Sequence, residues 1–284
     1  MNPSQEQKGR VFQALHERPG CFVIPNSWDI GTTRLLTSLG FEAIGTTSAG
    51  LAFSLGRRDG EGAISRDEVL ANARAIVAAT HLPVSGDLEN CFDQRPEGVA
   101  ETIKLAAEVG LVSGLIEDDT GTPATPIYDL ELAVERVRAA VESARGLPFP
   151  FLVTARAENF LYGRPDLNDT IRRLQAFQDV GADVLYAPGL RSREDISTVV
   201  RSIDRPLNVV MGLKGVTLSI PELAEIGVKR VSLGSALNRA ALGGFLRAAR
   251  EIREHGSFSF TEDAISFDEL NEMFSVQPEK PERC

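Results

Sequence analysis

A chain of 284 residues, 43% hydrophobic and 25% charged, has the balance of a globular protein long enough for one large domain or two small ones. Its net charge of −10 excludes nucleic acid and anionic membrane surfaces as partners, because both repel it. No apolar run approaches the roughly 18–20 residues of a membrane span, and "MNPSQEQKGRVFQALHERPG" has no apolar leader core, so a cytoplasmic location is expected.

The polar, amphipathic N-terminus leads into "CFVIPN" (21–26), the first candidate strand, followed by "AIGTTS" (43–48). Helical "SRDEVLANARAIVAAT" (65–80) opens with a capping box in which Ser65 and Glu68 satisfy free amides reciprocally. Strand-like "PVSGDLE" (83–89), "SGLIEDD" (113–119) and "FLVTARAE" (151–158) then alternate with helical "PEGVAETIKLAAEVG", "DLELAVERVRAAVESARG" and "LNDTIRRLQAFQDVG". "DVLYAPG" (183–189), "PLNVVMG" (206–212) and "RVSLGSA" (230–236) bring the strands to eight, and "GFLRAAREIREHG" supplies a last helix. Gly110, Gly146 and Gly181 follow helical runs, where a left-handed cap is expected.

Regular β-then-α alternation implies a parallel sheet, and eight units close most simply into a (β/α)8 TIM barrel of the α/β class. An open doubly wound sheet lacks its glycine fingerprint here, since no Gly-x-Gly-x-x-Gly follows the first strand. No linker divides the units, so residues 1–260 are read as one domain. Residues 261–284 are read as an amphipathic helix (about 261–274), striped by Phe267, Leu270, Met273 and Phe274, and a polar tail. That helix covers its own barrel or a neighbouring subunit.

Catalysis in such a barrel sits at the carboxyl ends of the strands. Those ends carry Ser48, Ala49 and Gly50; Asp87 and Glu89; Glu117, Asp118 and Asp119; Arg156 and Glu158; Asn208; and Ser232 and Ser235. By strand alternation Asp87 shares a face with Glu89, Glu117 with Asp119, and Arg156 with Glu158. Carboxylates gathered this closely repel one another, so a cation is expected among them. None of His16, His81 and His255 ends a strand, and Cys21, Cys91 and Cys284 are scattered. Histidine-bound zinc, a Ser-His-Asp triad and a disulfide framework are therefore disfavoured, and an oxygen-ligated Mg²⁺ or Mn²⁺ is favoured. Arg156 would grip a substrate carboxylate or phosphate. Lys214, the one lysine near a mouth loop, gives weak support to Schiff-base chemistry.

"PVSGDLEN", "IEDD" and "TARAENFLYGRPDLNDTIRRLQAFQDVGADVLYAPG", in that order, resemble the isocitrate lyase/phosphoenolpyruvate mutase superfamily over about residues 20–255. The resemblance implies a (β/α)8 barrel, usually with the last helix exchanged between subunits of a homo-oligomer, a dimer or tetramer. It also implies Mg²⁺ and a small 2-oxo or 2-hydroxy carboxylate substrate handled as its enolate. Carried over by position, Asp87 ligands the metal, and Glu89 and Glu117 hold metal-bound waters. Ser48, Ala49, Gly50, Asp87, Arg156 and Asn208 contact the substrate, while Asp59, Arg156 and Glu117 serve the chemistry. Three departures stand out. The loop "TGTPATPIYDL" carries neither the Lys-x-Cys-Gly flap of the lyases nor the asparagine flap of the mutases. Cys91-Phe92-Asp93 stands where many members have Gly-[Phe/Tyr]-Gly, and Pro188-Gly189 where lyases have a glutamate. The reading is a lyase-like enzyme cleaving a C–C bond. P–C bond chemistry and a 2-oxo acid binding protein without turnover are the alternatives.

Overall fold

The computed structural model describes residues 3–60 and 62–275. Helix α1 (Gln5–Glu17) precedes β1 (Phe22–Ile24) and β2 (Asn26–Ser27), and α2 (Ile30–Ser38) leads to β3 (Ile44–Thr46). Then come α3 (Ser48–Ser54), α4 (Arg66–Ala78), β4 (Val84–Asp87), α5 (Pro96–Glu108) and β5 (Ser113–Glu117). Alternation continues through α6 (Leu130–Arg145), β6 (Leu152–Arg156), α7 (Leu167–Asp179), β7 (Val184–Tyr186) and α8 (Arg193–Ser202). It finishes with β8 (Leu207–Val210), α9 (Ile220–Glu225), β9 (Arg230–Ser232) and α10 (Ala236–His255). A 3-10 turn (Ser259–Asp263) and α11 (Phe267–Phe274) follow.

All nine strands are parallel, in the order β1-β9-β8-β7-β6-β5-β4-β3-β2. They are the eight expected barrel strands, with the first interrupted at Pro25. Proline has no N–H to give the ladder, so pairing shifts there from β9 to β3. Its carbonyl still accepts from the Gly45 amide at 2.9 Å. Asn26 stitches the seam: its Nδ2 donates to the Thr46 carbonyl at 2.6 Å, and its Oδ1 accepts the Leu233 and Gly234 amides, both at 2.9 Å. A Cβ on Gly45 would stand 2.8 Å from that Nδ2, so only glycine admits the side chain. The fold is the (β/α)8 barrel.

Two apolar layers hold it. The larger lies between strands and helices and includes Ile44, Ile103, Ile116, Val153, Phe177 and Leu185. The smaller fills the amino-terminal end of the barrel, where α1 acts as a plug: Phe12 and Leu15 pack with Phe22, Ile24, Leu152 and Val184. His16 sits edge-on to Phe12 and Phe22, with ring centroids 4.8 and 5.0 Å away. Its Nδ1 bonds the Phe12 carbonyl at 2.8 Å, which fixes the proton on Nδ1 and turns Nε2 towards Arg230. Sealing this end leaves the carboxyl end as the mouth.

Two local expectations change. Gly110 and Gly181 are left-handed at φ 98° and 99°, but Gly146 stays in the right-handed helical region at φ −77°. Its amide still reaches the Glu142 and Ser143 carbonyls, so no reversal is needed there. The helix expected over about 261–274 is broken, because Ala264 and Ser266 are extended and Ser266 caps a new start by accepting the Glu269 amide. Leu270, Met273 and Phe274 of α11 are half-buried, on the α2 side, whereas Phe267 is 81% exposed. The expected polar tail, from residue 276 through Cys284, lies outside the described residues. Finally, α10 leaves its barrel largely uncovered: of its residues only Asn238 is buried, and Leu242, Phe245 and Leu246 face outward. No helix among the described residues is long and apolar enough to cross a membrane.

Burial, and then the Arg230 charge, depress the His16 imidazole to about 3. Native His16 therefore stays neutral where an unfolded histidine, near 6.5, already binds a proton. Stability is full above pH 6.5 and falls as pH drops towards 3. His16→Gln should flatten this decline in the urea midpoint. A variant profile parallel to the wild type would refute the assignment.

Candidate active site

Strand β4 delivers Asp87 to the mouth and holds it firmly. Its amide donates to Thr46 Oγ1 at 2.8 Å, and its Oδ2 accepts the Ser48 amide and hydroxyl at 3.0 and 3.1 Å. Oδ1 is buried with no protein partner. Ser48, Ala49 and Gly50, expected at a strand end, form the first turn of α3, because Thr47 caps the helix by accepting the Gly50 amide at 3.2 Å. A Cβ on Gly50 would come within 3.0 Å of Trp28 Cβ, so the turn approaches as closely as glycine allows.

Alternation ends at Asp87. Glu89, Cys91 and Phe92 all adopt left-handed backbone, at φ 50°, 60° and 59°, each costing about 1–2 kcal/mol for a residue with a side chain. The surroundings hold this turn in place. Buried Arg136 lies 4.4 Å over the Tyr128 ring and donates to the Asn90 and Asp93 carbonyls, while Thr102 Oγ1 donates to the Cys91 carbonyl at 2.8 Å. The turn aims Glu89 at the other acids. Burial, then the Asp87, Asp59 and Asp119 charges, raise its carboxyl to about 8. Cys91 is fully buried and its thiol is pushed up to about 12, which makes it a packing residue.

Neighbouring strands supply the centre. Glu117 of β5, Arg156 of β6 and Tyr186 of β7 lie side by side in register. Arg156 Nη1 meets Glu117 Oε1 at 2.6 Å, its Nε and Nη2 pair with Glu158, and its guanidinium stands 5.1 Å over the Tyr186 ring. Burial raises the Glu117 and Glu158 carboxyls, against the pull of Arg156. Burial opposes the charge on Arg156, but the two glutamates hold its pKa well above the usual value. Asp118 is turned outward: it accepts the Glu158 amide at 2.8 Å and pairs with Arg173 at 3.0 Å. Asp119 accepts from the Tyr162 hydroxyl at 2.6 Å on the rim. Asp59 is exposed on its loop, and partial desolvation, then the charge of Asp87, raise its carboxyl.

Asn208 is 1% exposed and lies below the rim rather than on it. Its Nδ2 donates to Ser232 Oγ at 3.0 Å, and its Oδ1 accepts from Arg230 Nε at 2.8 Å. Tyr186 and Arg230 escaped the strand-end reading, although Arg230 and Ser232 alternate on one face of β9 and an inward arginine follows from that spacing. With Asp87 and Arg156 they wall a cavity of about 50 Å³ inside the barrel. Above it, a cleft of about 820 Å³ opens between Gly60 and Gly62, residues 64–67, the 89–95 turn and Asp119. A larger groove of about 1220 Å³ lies outside, between α5 and α6, away from these acids.

Glu117 and Glu158 thus clasp one arginine, whose charge is also felt by Asp59, Asp87 and Glu89. Among the described residues no three His, Cys, Asp or Glu side chains close into a ready-made metal cage. The set instead fits an ion held directly by one carboxylate, through the unpartnered Asp87 Oδ1, and by the other acids through water.

The model of the phosphoenolpyruvate phosphomutase family matches residues 12–253. The chain belongs to that family. Its relatives in the family are lyases and mutases. A Burkholderia cenocepacia protein provisionally described as a lyase/mutase shares 56% identity and a TM-score of 0.94 over 96% of this chain and 97% of its own. The crystal structure of 2,3-dimethylmalate lyase, of the PEP mutase/isocitrate lyase superfamily, shares 26% identity and a TM-score of 0.83 over 94% of each chain. A probable 2-methylisocitrate lyase of Corynebacterium glutamicum is 28% identical over 260 residues, 88% of this chain and 83% of its own.

Within this family member the strained turn depends on Arg136. Arg136→Met leaves two buried carbonyls without donors and should cost about 2–4 kcal/mol in urea unfolding. A loss below about 0.5 kcal/mol, the range of ordinary surface substitutions, would show that the turn holds itself.

Proposed function

We propose that the protein is a Mg²⁺- or Mn²⁺-dependent lyase that cleaves a C–C bond of a small 2-oxo or 2-hydroxy carboxylate through an enolate. The observation that carries this reading is the unpartnered, buried Oδ1 of Asp87 among acids that face a single arginine. Asp87 would hold the ion directly, with Glu89 and Glu117 holding its waters. A bound dication supplies a Lewis acid for the substrate carbonyl.

The remaining roles belong to the chain. Ser48, Ala49 and Gly50 would bring the start of α3 to the substrate carboxylate, which would share the Ser48 amide and hydroxyl with Asp87 Oδ2 and the Gly50 amide with Thr47 Oγ1. Arg156, locked between Glu117 and Glu158, offers its remaining N–H groups to oxygen as negative charge develops there, without reorganising. Asn208 helps to line the pocket wall. Asp59, whose carboxyl is raised, exchanges a proton with the substrate from the loop above. The lyase names of the relatives support C–C rather than P–C cleavage.

We infer further that the protein is a cytoplasmic homo-oligomer, a dimer or tetramer, in which α10 covers a partner's barrel. Phe245 at 68% exposure and Leu246 at 47% are the kind of surface a subunit buries.

Oxaloacetate and substituted malates are the substrates to screen, reading metal-dependent release of pyruvate or glyoxylate. Asp87→Ala should lower turnover at least about a hundredfold, the scale of losing a preorganised electrostatic contact. Unchanged turnover would remove Asp87 from its role, and phosphate release from phosphonopyruvate would redirect the reaction to the P–C bond. Phe245→Asp should shift the sedimenting species towards monomer; an unchanged mass would refute the α10 contact.

A further inference from the structure

Beneath the mouth lies a polar chain of which the proposed roles use only Asn208, as part of the pocket wall. It starts at Arg230, 3% exposed, whose charge has no carboxylate partner among the described ion pairs. Its Nη2 donates to Thr154 Oγ1 at 3.0 Å, its Nη1 faces the neutral His16, and its Nε donates to Asn208 Oδ1. A guanidinium can only donate. That settles which end of the Asn208 amide faces it and turns the Nδ2 group onto Ser232 Oγ. With one lone pair of Ser232 so occupied, its hydroxyl hydrogen is available to the Tyr186 phenol, which lines the same cavity and is drawn towards acidity by Ser232. Tyr186 in turn walls the same cavity as Asp87 and Arg156.

We propose that Tyr186 is the proton donor to the enolate, set by the Arg230–Asn208–Ser232 chain beneath it. This deepens the enolate reading above and rests on it. On the floor of the cavity Tyr186 has no rival: the raised carboxyls of Asp59 and Glu89 belong to the mouth above, the loop over 120–130 has no cysteine, Cys91 is fully buried, and the Tyr162 hydroxyl hydrogen-bonds to Asp119 on the rim. In the step, the Tyr186 Oη–H bond breaks and its proton goes to the enolate carbon. The C=C pair becomes the new C–H bond and the carbonyl re-forms. The phenolate keeps the O–H pair, is held by the Ser232 hydroxyl and the Arg156 charge, and regains a proton from water. Both groups pull the phenol towards acidity, although burial, the larger influence, leaves it neutral, at about 12. Proton traffic then has two sides, with Asp59 above the substrate and Tyr186 below.

The test uses full-length protein with Mg²⁺ and pyruvate in heavy water, reading exchange of the methyl protons by NMR, with oxalate affinity by calorimetry as the binding control. Wild type should exchange. Tyr186→Phe should lose exchange by about a hundredfold or more, the scale of a general acid. Its oxalate affinity should stay within about threefold, under 1 kcal/mol, and its thermal midpoint should be unchanged. Ser232→Ala should lose exchange by roughly tenfold, the value of one hydrogen bond. Exchange at the wild-type rate in Tyr186→Phe would overturn the assignment. Loss of oxalate affinity together with exchange would make Tyr186 a binding residue instead, and would overturn it equally. A wild type that neither exchanges pyruvate nor binds oxalate would instead defeat the enolate reading, and the donor would fall with it.

Discussion

The Glu117–Arg156–Glu158 cluster is the interaction on which the site depends. Two buried glutamates and a largely buried arginine, carried by two adjacent strands, are held within ion-pair distance, and none of them would be tolerated there alone. Two unit charges about 4 Å apart interact by about 4 kcal/mol at an intermediate dielectric. One arginine can therefore hold two glutamates, but not the charge of Asp87, Glu89 and Asp59 as well. The imbalance is local: the raised Glu89 carboxyl is its mark, and either a proton or the dication proposed for this mouth would relieve it.

The barrel underneath is what lets this arrangement persist. Helix α1 closes the far end with aromatic rings, which leaves the carboxyl end as the mouth through which the charges meet water. Above the plug comes a layer of Arg230, Thr154 and Asn208, and then the layer of Asp87, Arg156 and Tyr186. A donor-only arginine at the base orients the amide above it, which in turn orients the hydroxyl above that. On the other side, the strained 89–92 turn spends conformational energy to redirect Glu89, and buried Arg136 and Thr102 offset that strain through its carbonyls. Rigid strands and one clamped turn together fix the acids far better than free loops would.

Much of this was legible before any coordinates. The eight apolar runs, their alternation with amphipathic helices and the clustering of acids at strand ends follow from periodicity, because side chains alternate in strands and recur every 3.6 residues in helices. Asp87, Glu117 and Arg156 were readable for the same reason. Spacing groups Glu89 with Asp87, but the backbone abandons that alternation before Glu89 is reached. Asp118, which did not fit its expected face, turned out to have Arg173 waiting outside the sheet.

What the sequence determined by itself is therefore the set of chemical groups and the order of elements that carries them, since these depend on spacing along the chain. Which group bonds which was decided by the closed barrel alone. Arg156 and Glu117 are 39 positions apart, and Arg230 reaches His16 across 214. Such partnerships arise from strand register and from closure at Pro25, where pairing passes from β9 to β3, and no local pattern encodes them. The same holds for the left-handed turn and the orphaned oxygen of Asp87: both exist only because distant side chains hold the backbone and exclude water there.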